Sequence, residues 1–265
     1  MSTPLVVALH GATGTRGRPV ARRLLEDGHD VRAVVRRPGR AAGCRPAAAD
    51  LLDARSLARA YAGADAVVVR LPAVFDDRAW RMARCVVAAV HGAQVQRVVV
   101  DTGCALPAAP TGLPYLDARR ALVETLAHGP CDVAVVQPVA PAMEDLAVRD
   151  GVVVCTAAAL PYVALDDVAG EIAAALRDGR SRLVCGPHAW TGPEVAAVLG
   201  DAAGRPVRWR TVAPVQPGDA AAGGFARVHA ALARTPAPDP ALLRVGTTDL
   251  VTWARRQAWR PALAA

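Results

Sequence analysis

Three glycines, Gly11, Gly14 and Gly17, stand three residues apart in Leu9-His10-Gly11-Ala12-Thr13-Gly14-Thr15-Arg16-Gly17, directly after the first apolar run of the chain. Glycines so spaced permit a tight turn, let a pyrophosphate approach the backbone and let a helix pack closely on a strand. The free N–H groups of the helix start then face the anion. Thr13, Thr15 and Arg16 belong to the same loop and count with the glycines as cofactor-binding candidates, Arg16 as a contact from the opposite side. The second apolar run ends Val34-Val35-Arg36-Arg37-Pro38, where an NAD-selective protein places a carboxylate for the ribose 2′-hydroxyl. Guanidiniums cannot accept from that hydroxyl but pair well with a 2′-phosphate, so Arg36 and Arg37 point to NADP(H). Their rival reading is solvated surface arginine, in a chain that has 31. Asp50 and Leu51 follow the third run and meet the adenine edge; Asp53 is read as a helix cap. Arg70, in Arg70-Leu71-Pro72 at the end of the fourth run, lies beside the cofactor's path.

These residues need a parallel sheet to hold them. Short valine-rich runs at Leu5–Leu9, Val31–Val35, Ala66–Val69, Arg97–Val100 and Asp132–Val136, with a weaker one near Arg45–Ala49, are nearly continuous, as expected of strands buried on both faces. Between them Arg18–Asp27, Ser56–Ala62, Asp76–His91 and Tyr115–His128 read as helices closed by Gly28, Gly63, Gly92 and Gly129. The fold class is α/β: a Rossmann-like doubly wound parallel sheet over residues 1–138, with a small C-terminal substrate-binding region over 139–265 packed on it as a lid. In that region helices are expected at Asp166–Arg177, Gly192–Ala203 and Asp249–Ala258, strands at Leu183–Cys185 and Val207–Arg210, and loops at Pro214–Gly224 and Arg234–Pro240. Asp166 and Asp167 read as helix caps, and His188 and Trp190 as packing residues.

Composition removes several alternatives. Of the 265 residues 53% are apolar, which excludes a disordered chain, and the uncharged runs at 103–116 and 151–165 are too short and too proline-broken to span a membrane. No basic stretch precedes the apolar residues that begin at Leu5, so no signal peptide is read and a cytoplasmic location is expected. The six cysteines show no C-x-x-C pair and no histidine at ligand spacing, so neither a metal site nor a disulfide framework is expected. All 31 basic side chains are arginine, lysine and asparagine are absent, and Ile172 is the only isoleucine, which marks a high-GC genome. The arginines are scattered and aromatics make up only 4%, so the net charge of +7 does not indicate a nucleic-acid partner. The expected partner is a small-molecule substrate, and the expected state a monomer or homodimer.

His10-Gly-Ala-Thr-Gly-Thr-Arg-Gly17, Val34-Val-Arg-Arg-Pro38, Ala49-Asp-Leu-Leu-Asp53, Ser56-Leu57, Gly63-Ala-Asp-Ala-Val67, Val135-Val-Gln-Pro138, Pro161-Tyr-Val-Ala-Leu-Asp-Asp-Val-Ala169, Gly186-Pro-His-Ala-Trp-Thr-Gly-Pro-Glu194 and Gly204-Arg-Pro-Val207 together resemble the NmrA-like group of atypical short-chain dehydrogenase/reductases. The resemblance covers nearly the whole chain. It implies a Rossmann domain binding NADP(H), and a substrate cleft between the sheet's C-terminal edge and the small region. The activity it implies is hydride transfer to a carbonyl, quinone or enone; NADP(H)-sensing regulators and non-redox isomerases or cyclases are the alternatives on the same fold. Short-chain reductases carry a Ser or Thr after the fifth strand, a Tyr thirteen positions on and a Lys four residues beyond. Here Thr102, Tyr115 and Arg119 occupy those places. In that role Tyr115 donates a proton to the carbonyl oxygen, Thr102 orients it, and Arg119 lowers the phenol's pKa and holds the nicotinamide ribose. The other reading has Tyr115 simply packing at a helix start. By the same resemblance Pro138 borders the nicotinamide, and Gln137, Met143 and Glu144 line the substrate; His10 reads as either a nicotinamide neighbour or a structural histidine.

Overall fold

The computed structural model describes residues 3–37, 43–155, 158–211, 220–234 and 241–257. The first half lays down β1 (Val6–His10), β2 (Asp30–Val35), β3 (Arg45–Ala48), β4 (Ala66–Val69), β5 (Arg97–Asp101) and β6 (Asp132–Pro138), interleaved with α1 (Gly17–Glu26), α2 (Ala54–Tyr61), α3 (Arg78–Gly92) and α4 (Pro114–Ala127). Past Pro138 come a 3₁₀ turn at Met143–Asp145, β7 (Val148–Arg149), β8 (Val152–Cys155), α5 (Leu165–Asp178), β9 (Arg182–Cys185), α6 (Gly192–Ala203), β10 (Arg208–Thr211), α7 (Ala220–Leu232), β11 (Leu243–Val245) and α8 (Leu250–Arg256). The main sheet has eight strands in the order β11-β9-β6-β5-β4-β1-β2-β3, and every pairing in it is parallel. A second sheet, β10-β8-β7, serves the C-terminal region.

Side-chain alternation along β1 explains why its apolar run is unbroken. Val7 and Leu9 face a core completed by Val20, Leu24, Ile172 and Leu176 of α1 and α5, while Ala8 faces the opposite core, closed by Leu57, Val86 and Leu122 of α2, α3 and α4. Each such side chain withdrawn from water contributes roughly 1.5–3 kcal/mol to holding helix on sheet. A third core joins Met143, Val153, Tyr162, Leu199, Leu250 and Trp253 in the C-terminal region. The expected division at residue 138 does not separate the sheets, since β9 and β11 return to extend the main sheet beside β6.

Several local expectations are revised. Gly28 and Gly63 take the left-handed conformation that ends α1 and α2. By contrast α3 runs through Gly92 and turns at Gln94 (φ 54°), and Gly129 keeps a negative φ. The N-cap of α5 is Ala164, and neither aspartate caps it: Asp166 ion-pairs with Arg22 of α1, and Asp167 accepts from Thr248. Part of the segment expected as loop at Pro214–Gly224 is helical from Ala220. Its earlier residues, those at 235–240, Pro38 and Ala258 lie outside the described residues. Among the described residues no helix is long and apolar enough to cross a membrane, and no cluster of His, Cys, Asp and Glu has metal-binding geometry.

Strand order reverses between β1 and β4, with β2 and β3 running outward on one side and β5 and β6 on the other. In an open parallel sheet the crevice at the carboxyl ends of such a pair is where ligands bind. The glycine loop, Arg36 and Arg37, Arg70, and Thr102 with Tyr115 all follow the carboxyl ends of these strands.

Candidate active site

The glycine loop turns tightly between β1 and α1. Gly11 has φ +68°, and Gly14 donates its N–H to the Gly11 carbonyl at 2.9 Å. A Cβ on buried Gly17 would overlap that same carbonyl, so glycine is required for α1 to start so close to β1. Arg16, at the N-cap of α1, makes no side-chain cap bond, and the first turn carries no acidic residue. The donors at the α1 N-terminus are therefore not taken by side chains of its own first turn. Gly11, Thr13, Gly14 and Thr15 are exposed there, and Arg18 steadies the loop through a 2.9 Å bond from Nε to the Thr13 carbonyl.

Arg36 and Arg37 follow β2, are exposed, and have no ion-pair partner among the described residues. Asp50 is exposed, its carboxylate accepting from Leu52 N–H at 2.9 Å, with Leu51 half-buried beside it. Asp53 caps α2 by accepting from Arg55 and Ser56 N–H groups, as expected. Arg16 makes an ion pair with Asp145 of the 3₁₀ turn, bridging the glycine loop to the C-terminal region. Arg70 pairs with Asp101 at 2.5 Å, and its guanidinium fills the space beside Gly103, where a Cβ would come within 2.7 Å of it. Burial alone would lower the Arg70 pKa, but the Asp101 carboxylate outweighs that and raises it.

Thr102, Tyr115 and Arg119 are brought together, with Thr102 and Arg119 hydrogen-bonded to backbone carbonyls. Thr102 is 1% exposed, and its hydroxyl donates to the Cys104 carbonyl at 2.5 Å, so it is not presented to a substrate carbonyl. Arg119 is 2% exposed and donates to four backbone carbonyls: Thr102 (3.2 Å), Tyr115 (2.6 Å), Leu71 (2.7 Å) and Pro72 (2.8 Å). Its guanidinium carbon lies 3.7 Å from the centroid of the Tyr115 ring, over its face. Through these four bonds Arg119 ties the β4–α3 loop to the start of α4. Burial raises the Tyr115 pKa despite the nearby Arg119, Arg70 and Arg16 charges, so at neutral pH the phenol is protonated.

Met143 and Glu144 also depart from the substrate-lining role. Met143 is fully buried in the third core, and Glu144 accepts from the Leu165 N–H (3.1 Å) and the Trp253 indole (3.2 Å), capping α5 from outside. Burial lifts the Glu144 pKa against those bonds. Gln137 holds the loop after β5 by accepting from Leu106 N–H at 2.9 Å, and Pro138 is buried in register with Val184 of β9. His10 is 3% exposed and bonds the Tyr61 hydroxyl at 2.6 Å; burial brings its pKa down to about 4, so it is a neutral link between β1 and α2. His188 and Trp190 pack edge to face, as expected of them.

Three contributors escaped the sequence reading. Asp101 supplies the carboxylate for Arg70, Asp145 supplies the one for Arg16, and Phe75 stacks on Tyr115 with centroids 5.2 Å apart and planes at 19°. The rarity of phenylalanine was the available signal: the chain has two, Phe75 and Phe225, and both lie against Tyr115.

Comparison with known proteins agrees with this geometry. Residues 11–179 match the NAD(P)H-binding family. The NAD(P)H azoreductase of Xenophilus azovorans is 31% identical over 223 residues, 77% of this chain and 76% of that protein. The NADPH-dependent quinone oxidoreductase of Escherichia coli, solved with NADPH, superposes with a TM-score of 0.73 at 21% identity, over 94% of this chain and 98% of that one. NmrA, a negative transcriptional regulator, superposes at 0.64 with 14% identity, over 85% and 82%.

Proposed function

Because the chain belongs to the NAD(P)H-binding family, with the NmrA-like atypical short-chain dehydrogenase/reductase fold, and is an NAD(P)H-dependent oxidoreductase, we propose that it uses NADPH to reduce a flat conjugated acceptor of the quinone or azo class. The glycines at 11, 14 and 17 and the uncapped start of α1 would hold the pyrophosphate, with Thr13 and Thr15 at its edge. Arg36 and Arg37, exposed and unpaired among the described residues, would take the 2′-phosphate; Asp50, Leu51, Arg70 and Pro138 would flank the remainder. Bound NADPH supplies a hydride.

The acceptor class rests on one observation: the groups around Tyr115 that would move a proton are committed to the backbone. Thr102 and Arg119 spend their donors on carbonyls of residues 71, 72, 102, 104 and 115. An isolated ketone that gains a hydride becomes a strongly basic alkoxide, and it needs a poised acid. A quinone, or a hydroxyazo dye in its quinone-hydrazone form, becomes a phenolate-like anion whose conjugate acid has a pKa of about 10, so water suffices to protonate it. The names of the azoreductase and the quinone oxidoreductase support the same class. The test is NADPH oxidation followed at 340 nm with quinones and azo dyes against unconjugated ketones.

A further inference from the structure

Helix α7 lies across Tyr115 in a way that leaves no room for an acceptor. Its Phe225 meets Phe75 edge to face at 4.9 Å (78°) and Tyr115 at 6.0 Å (64°), so both phenylalanines of the chain stand with Tyr115 in one aromatic group. The cavity between them is about 10 Å³, space for no more than one water; Phe75, Leu113, Pro114 and Tyr115 line one side, Gly224 and Val228 the other. The helix comes this close because residue 224 lacks a side chain. A Cβ at Gly224 would run into the Phe75 ring. Arg119, over the Tyr115 ring, bonds the carbonyls of Leu71, Pro72 and Thr102 just past β4 and β5, which puts the aromatic group at the carboxyl ends of those strands.

The contact is also shallow. Within the helix Val228 and Ala231 are buried, while Phe225 is 41% exposed and Arg227 and His229 face water. Beneath it Cys104, half-buried, packs in the same cluster as Tyr115, Val228 and Ala231. Among its described side chains only Val228 and Ala231 are buried, and a helix so held opens at lower free energy than the sheet beneath it. The faces of Tyr115 are taken by Phe75 and Arg119, so the surface uncovered would be the outer face of Phe75, against which Gly224 now lies, with the edge of Tyr115 beside it; such a ring face suits a flat π-system.

We propose that α7 is a displaceable plug over the acceptor site: Gly224 and the Phe225 ring cover the outer face of Phe75, beside the edge of Tyr115, where a flat aromatic acceptor stacks, and the acceptor binds once α7 withdraws. This rests on the reading of the chain as a reductase of flat conjugated acceptors, and it makes Phe225 the residue that sets apparent acceptor affinity. A ligand that needs a minor open state binds more weakly by the fraction of time that state is populated. Anything that loosens the plug therefore tightens acceptor binding.

The experiment uses the full chain carrying Phe225→Ala, and independently Gly224→Val, whose new side chain drives α7 off Phe75. Two readouts need no turnover: the rate of Cys104 alkylation by iodoacetamide, followed by mass spectrometry, and the affinity for menadione from tryptophan quenching. The plug predicts that both variants alkylate Cys104 roughly fivefold faster or more and bind menadione at least about threefold more tightly, with NADPH affinity unchanged. Weaker menadione binding in Phe225→Ala would make Phe225 a fixed wall of the site and overturn the proposal; so would an unchanged Cys104 rate in both variants. If no acceptor is reduced by any variant, the reductase reading fails, yet the plug stands wherever Cys104 exposure and menadione affinity respond as stated.

Discussion

Replacing Arg119 with methionine separates a structural arginine from a catalytic one. The side chain is 2% exposed and makes four charged-donor bonds of 2.6–3.2 Å to the carbonyls of Leu71, Pro72, Thr102 and Tyr115. Bonds of that kind contribute roughly 1.5–3 kcal/mol each before burial of the ion is counted. Burial opposes them, and it draws the Arg119 pKa downward. Methionine fills much of the volume but leaves four carbonyls without a donor, so the net loss works out at about 3–5 kcal/mol. At roughly 2–4 °C per kcal/mol for a chain of this size, Tm falls by about 10 °C. Lysine at 119 keeps a charge but has three donors on a single nitrogen, so its loss is intermediate. Thermal unfolding by circular dichroism reads both variants. A Tm drop below about 2 °C combined with a selective collapse of kcat would refute the assignment and return Arg119 to the catalytic role expected from its spacing.

Arg36→Asp should lower the preference for NADPH over NADH at least tenfold, because one charge-assisted pair is lost and a like charge faces the 2′-phosphate; fluorescence titration with both nucleotides measures it, and equal affinities in the unmodified protein would remove the basis for NADPH. His10 carries a pKa depressed by burial from 6.5 to about 4, so as pH falls through that window the unfolded state binds the proton first and stability drops. The drop is on the order of 3 kcal/mol between pH 7 and pH 4, and His10→Gln should remove that share of the acid dependence in urea titrations; an identical pH profile in the variant would contradict it. Gly17→Ala forces a methyl group onto the Gly11 carbonyl and should weaken NADPH binding more than tenfold, while normal binding would show that the loop is not the pyrophosphate seat.

The parallel sheet and its glycine loop were legible because both faces of each central strand are buried, which produces unbroken valine runs, and because the loop's glycines answer local backbone demands. Asp53, read as the cap of α2, answers an equally local demand. What stayed hidden is held by distant partners. The small sheet needs β8 to pair with β10, about fifty residues away, and the acids at 144, 166 and 167 are taken by Leu165, Arg22 and Thr248. The Gly223-Gly224 pair, poor for a helix interior, disguises α7, yet Gly224 is what lets it sit on Phe75. Spacing anticipated that Thr102, Tyr115 and Arg119 lie together, but whether their donors face a ligand or the backbone depends on loops 71–72 and 102–104. No pattern in the sequence encodes that choice.

The central claim is tested most directly by following NADPH oxidation at 340 nm with menadione, an azo dye and cyclohexanone, in the unmodified protein and in Tyr115→Phe. Menadione and the azo dye, chosen as a hydroxyazo dye in its quinone-hydrazone form, should be reduced while cyclohexanone is not, and Tyr115→Phe should retain menadione turnover to within about threefold, since no protein acid is needed. Reduction of cyclohexanone that Tyr115→Phe abolishes, or tight NADPH binding with no oxidation by any acceptor, would contradict it.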